Sequence, residues 1–118
     1  MLKIKIPWPP KYLSPNSRVH WAKKAKSAKK YKADCFFLAK NAGLVEVNSK
    51  KIDVHIDFYA PDKRRRDIDN LIASIKNGLD GIADAIKVDD HCFVIAANLN
   101  EKIVKNGIIE VSIIPRSG

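Results

Sequence analysis

A small α/β (α+β) domain with a mixed sheet covered by helices follows from three observations. Segments of period-two hydrophobicity lie at both ends and in the middle of the chain. Two segments repeat their apolar residues at helical spacing, and Pro, Gly and Asn punctuate the joins. The predicted order is β-α-β-α-β-β. At 118 residues the chain, 1–118, makes one domain with one modest core.

The first strand is carried by Leu2, Ile4 and Ile6, alternating with Lys3 and Lys5, and it ends at Pro7. Pro7-Trp8-Pro9-Pro10 through Ser14-Pro15-Asn16 cannot be helical, because each proline removes a donor and fixes φ; a stiff loop is expected. A helix over 17–42 should follow. Ala28, Tyr31, Cys35, Leu38 and Ala42 form an apolar stripe, with Lys23, Lys26, Lys29 and Lys30 on the other side and Gly43 at the C-cap. The stripe is expected to face the sheet, with a partner as the alternative. Ile52, Val54, Ile56 and Phe58 alternate with polar residues in a second strand, which places His55 on a polar face. A second helix over 68–83 presents Leu71, Ile72, Ile75, Leu79 and Ile82. A strand over 92–99, an Asn106-Gly107 hairpin turn and a last strand through Ile109, Val111 and Ile113 complete the order.

Charge narrows the function. Twenty-two Lys and Arg face 13 Asp and Glu, a net of +9. Residues 1–50 hold 12 basic and 2 acidic side chains, whereas 51–118 hold 10 and 11. A basic half beside a locally acidic one points to a polyanion surface next to a carboxylate cluster. No apolar run is long enough to span a membrane, and the charged, alternating start lacks the core of a secretory signal. Cys35 and Cys92 have no ligand spacing and read as reduced thiols of a cytoplasmic protein. His20, His55 and His91 show none either.

The chemistry concentrates in Lys63-Arg64-Arg65-Arg66-Asp67-Ile68-Asp69-Asn70. Asp67 and Asp69 project to one side if the chain is extended there, but lie about 200° apart in a continuous helix. Sharing one ion therefore requires Asp67 just before the second helix and Asp69 at its start, where the helix terminus also favours a phosphate. A second acidic pair, Asp89-Asp90, precedes the third strand. Converging carboxylates suit Mg²⁺ or Mn²⁺, and the arginines suit flanking phosphates. Each piece also has a plainer meaning: an N-cap, a solvated loop paired with its own acids, a turn, the wet face of a helix.

The string Pro61-Asp62-Lys63-Arg64-Arg65-Arg66-Asp67-Ile68-Asp69-Asn70-Leu71, then Gly78-Leu79 and Asp89-Asp90, resembles the RusA family of Holliday junction resolvases. Pro7-Trp8-Pro9-Pro10, with Ser14 and Asn16, resembles that family's N-terminal loop, so the likeness spans most of the chain. It implies a RusA-like fold, a homodimer, and a Mg²⁺-dependent endonuclease (Mn²⁺ substituting) that makes paired, symmetric nicks in four-way DNA junctions during recombination and repair. It also implies a phage or prophage origin in a bacterial host. Asp67, Asp69 and Asp90 take the catalytic, metal-binding positions, with Asp89 a further ligand candidate. Lys63, Arg64, Arg65 and Arg66 would hold DNA, joined by Asn16, Arg18, Lys23, Lys26 and Lys30. Two departures stand out: Ala73 occupies the family's catalytic lysine position, with Lys76 a turn later as the substitute, and Asn77 stands where an acid is usual. A non-catalytic binder of branched DNA is the alternative, and a nuclease for flaps or other branches a third reading.

Overall fold

The computed structural model describes residues 2–44 and 46–116. Strands β1 (Leu2–Pro7), β2 (Ile52–Tyr59), β3 (Phe93–Asn100) and β4 (Ile108–Pro115) form one sheet in the order β1-β4-β2-β3. β4 runs antiparallel to both β1 and β2, whereas β2 and β3 are parallel, so the sheet is mixed. Three helices, α1 (Trp21–Asn41), α2 (Ile68–Ser74) and α3 (Lys76–Ala85), complete a small α+β domain. Ile4, Ile6, Ile52, Val54, Ile56, Phe58, Ile109, Val111 and Ile113 share one face of the sheet, and all are buried in the same core as the helices' apolar residues. His55 is exposed on the opposite face, as the alternation predicts.

Four local expectations need correction. Helix α1 starts at Trp21, not at 17, because His20 is in an extended conformation (φ −56°, ψ 140°) and caps the helix, its Nδ1 accepting from Ala22 N at 3.2 Å. The buried stripe of α1 is Tyr31, Cys35 and Ala39, while Leu38 and Ala42 are exposed. It packs against α3, where two glycines allow close approach: a Cβ on Gly81 would strike the Lys32 carbonyl oxygen, and one on Gly78 would lie 2.7 Å from the Tyr31 ring. The second helix is two. Ser74 Oγ donates back to the Asn70 carbonyl at 2.7 Å, and Ile75 leaves helical geometry (φ −101°, ψ 3°) between α2 and α3. Such back-bonding is a recognised cause of helix bending.

Asn106-Gly107 forms its turn but not the expected hairpin. Both residues take positive φ (67° and 70°), as that dipeptide favours. The turn does not join neighbouring strands, however, because β2 lies next to both β3 and β4 and between them. The connection instead crosses the end of β2, where Val104 N donates to the Ala60 carbonyl at 3.0 Å. Trp8 backs this turn, leaving no room for a side chain on Gly107.

Candidate functional site

Topology sets where the acidic residues fall. Two parallel strands need a crossover, so α2 and α3 must carry the chain from the carboxyl end of β2 back to the amino end of β3. The arginine run and Asp67 therefore sit at one end of the sheet, and Asp89-Asp90 at the other end of the crossover. Between Asp67 and Lys76 lie the whole of α2 and the break at Ile75.

At the first end, a cleft of about 260 Å³ is lined by Ser14, Asn16, Arg65, Arg66, Asp67 and Asn70, with Trp8 beside them. Two stretches far apart in sequence, the proline-rich loop and the arginine run, meet here. Asp67 caps α2, its Oδ1 accepting from Asp69 N at 2.8 Å. The second carboxylate oxygen stays free to accept elsewhere, so capping and ligation are compatible. Asp69 is exposed in the first turn.

The arginines divide by role. Arg66 is largely buried and works structurally: it pairs with Asp62 at 2.9 Å, donates to the Asp62 and Arg64 carbonyls, and lies 5.3 Å from the centre of the Trp8 ring. The Asp62 carboxyl is held below its usual range by the Arg64 backbone N–H and by Arg66. Lys63, Arg64 and Arg65 are exposed, and among the described residues only Arg64 of these three has an ion pair, a long one of 3.8 Å to Asp62. These three side chains remain available for phosphates.

At the other end, Lys76 Nζ lies 3.3 Å from Asp90 Oδ2. Asp80, which sequence reasoning missed, joins them: burial, and then its hydrogen bond with Asp90, raise its pKa. Asp80 is one turn past Lys76, the spacing that puts both on one helix face, and this was the available signal. Lys76 and Asp80 each stand three residues beyond Ala73 and Asn77, so both expected groups occur one turn late. Asp84 and Asp89 border the same cleft of about 360 Å³. Asp89 faces His91, which lies 2.8 Å away and, with its backbone N–H, lowers the Asp89 pKa.

Asp67 and Asp69 sit at the start of α2, whereas Asp89 and Asp90 immediately precede β3 at the other end of the crossover. Among the described residues, no three His, Cys, Asp or Glu side chains come together in a way that holds a metal ion. The remaining DNA-binding candidates are all exposed. Asn16 lines the first cleft, and Arg18 precedes α1. On α1, Lys23 rests over the Tyr12 ring at 4.7 Å, Lys26 is exposed to solvent, and Lys30 pairs with Asp34 at 2.9 Å. No helix is long and apolar enough to cross a membrane among the described residues.

No model of a known protein family matches the sequence. The chain is 34% identical over 116 residues to a protein of Xylella fastidiosa (strain Temecula1) described as uncharacterized, covering 96% of this chain and 76% of that one. Among solved structures it matches IspF of Plasmodium falciparum in a CDP complex, with 17% identity and a TM-score of 0.32. That match covers 79% of this chain and only 56% of the IspF chain, and a likeness this weak carries no argument. The resemblance to the RusA family therefore rests on the motif residues themselves.

Proposed function

The chain belongs to the family of the Xylella fastidiosa protein, and we propose that it is a metal-dependent endodeoxyribonuclease for branched DNA, a RusA-like Holliday junction resolvase. One observation carries this reading: Asp67, Arg65 and Asn70 from the motif share a cleft with Ser14 and Asn16 of the N-terminal loop. Exposed Lys63, Arg64 and Arg65 stand ready for phosphates beside that carboxylate, with Arg18, Lys23, Lys26 and Lys30 extending the basic surface. Phosphate contacts of this kind make affinity fall with salt. Mg²⁺ or Mn²⁺ held by the aspartates would polarise the scissile phosphate and supply an activated water.

One chain alone does not assemble that ligand set. A homodimer resolves the difficulty. Among the described residues β3 is an edge strand whose outer backbone groups have no strand partner, and Val94 and Ile95 on it are 38% and 40% exposed. Beside it runs a groove of about 440 Å³ lined by Ile72, Ala73, Leu79, Phe93 and Ile95, with Lys76, Asp90 and His91 also on its wall. A two-fold axis next to β3 sets the two edge strands antiparallel, so the Asp67 end of one protomer meets the Asp90 end of its partner. Basic and acidic ends then face each other twice, and two sites arise for two symmetric cuts.

A second reading, a non-catalytic binder of branched DNA, is favoured by the separation of the two acidic clusters if the chain acts as a monomer. A cytoplasmic location, in a bacterium or on a prophage, goes with either reading. The test is cutting of a synthetic four-way junction in Mg²⁺. Asp67→Asn, Asp69→Asn and Asp90→Asn variants should lose cutting and keep binding; normal cutting by all three would refute the site.

A further inference from the structure

Trp21 is 75% exposed, more than any other large apolar side chain described as exposed in the molecule. Trp8, by contrast, is built into the fold: it meets Phe58 edge-on at 6.0 Å, carries Arg66 over its face and backs Gly107. Trp21 has no comparable packing role, yet its position is well defined. It is the first residue of α1, and the ring of the capping His20 lies 5.5 Å away at 34°. A shallow groove of about 540 Å³ runs from Trp21 past Leu13, Pro15 and Lys24 to Lys76 and Asp80. Lys24 is tethered along it by donation to the Ser14 carbonyl at 3.4 Å.

We propose that Trp21 is a stacking platform for one unpaired base of the bound nucleic acid, at the outer end of the groove leading to Lys76 and Asp80. This rests on the reading of the chain as a branched-DNA protein and names the part of the substrate that this groove takes. The charge around the indole selects the occupant. Lys24 and Lys76 line the groove with Asp80 as its one acid, and Arg18 and Lys23 are exposed within three residues of Trp21 in sequence. An apolar protein partner would have to desolvate that lysine-rich surround, whereas a nucleic acid brings a π-face for the indole and phosphates for the lysines. A base inside a duplex is already stacked on both faces. A branch point where stacking is broken, a flap, a single strand or a duplex end offers a free face, so Trp21 confers preference for such sites over the interior of a duplex. A base seated there leads its neighbouring phosphates along Lys24 toward Lys76, so Trp21 positions the strand and does no chemistry.

The experiment uses the full chain in EDTA, to prevent cutting, with wild type, Trp21→Ala and Trp21→Phe. Each is titrated with a four-way junction, an oligothymidine and a covalently closed circular duplex, which has no ends. Tryptophan fluorescence and fluorescence anisotropy of labelled DNA are read together, and circular dichroism and sedimentation check fold and assembly. The junction and the oligothymidine should quench wild-type fluorescence. Trp21→Ala should lose that quench and bind both about tenfold or more weakly, with duplex affinity unchanged, and Trp21→Phe should recover most of the affinity. Undiminished junction and oligothymidine binding by Trp21→Ala overturns the proposal while leaving the branched-DNA reading intact. A change in sedimentation without a change in DNA affinity also overturns it, making Trp21 a contact between copies. If the wild type binds none of the three DNAs, the proposed function and this inference fall together.

Discussion

Mixing two inactive variants decides whether the acidic clusters meet across a dimer. Within one protomer, Asp67 caps the start of α2, while Asp90 lies beside Lys76 and Asp80 of α3. In the antiparallel arrangement at β3, each site takes Asp67 from one protomer and Asp90 from the other. Asp67→Asn and Asp90→Asn homodimers then have both sites broken. In a mixed dimer both lesions fall in one site and the other is wholly native. Random reassortment makes about half of the dimers mixed, so about a quarter of the wild-type sites return. The products carry the same signature: a mixed dimer nicks one strand of a junction and cannot make the paired cut. The assay is co-refolding of the two variants at equal concentration, followed by separation of nicked from resolved junction on native and denaturing gels. If the mixture stays as inactive as its components while the wild type cuts, each site lies within one chain and the dimer geometry is wrong.

Two predictions test the fold. Gly81→Ala adds about 1 kcal/mol of helix propensity but drives a Cβ into the Lys32 carbonyl, a backbone group that cannot rotate away. Overpacking of this kind typically costs about 1–3 kcal/mol, so the urea midpoint should fall; an unchanged or raised midpoint contradicts the α1–α3 contact. The second concerns alkali. Burial, aided by Asp34, pushes the Cys35 thiol up to about 12 from its ordinary 9.0. A raised folded-state pKa means full stability below about pH 9 and progressive loss up to about pH 12, at roughly 1.4 kcal/mol per pH unit. Melting temperatures across that range should decline less steeply in Cys35→Ala; equal slopes would remove the thiol from the account.

The strands were legible because sheet burial imposes a two-residue period, as in Ile52, Val54, Ile56 and Phe58. Sheet order was less so. Asn106-Gly107 correctly announces left-handed turn geometry, but no local signal tells whether the flanking strands are neighbours, and β2 comes between them. The start of α1 escaped because histidine is not among the usual capping residues, and the break at Ser74-Ile75 because helical periodicity continues through it.

The first half of the candidate site was readable, since Arg65, Arg66, Asp67 and Asn70 lie within six residues of sequence and line one cleft. Asp80 was less so: its spacing of four from Lys76 was visible, but it lies in no motif, and its hydrogen bond with Asp90 comes only with the fold. Trp21 was hidden for a related reason. An aromatic residue at a helix start usually packs inward, and nothing local distinguishes it from Trp8.

The most direct measurement is incubation of the purified chain with a labelled four-way junction, with and without Mg²⁺, beside linear duplex of the same sequence. Paired, symmetric nicks in the junction, dependent on Mg²⁺ and absent from the duplex, are the predicted result. Tight junction binding without any cutting, in Mg²⁺ or Mn²⁺ and across several core sequences, would contradict the nuclease account and leave a protein that recognises branches without cleaving them.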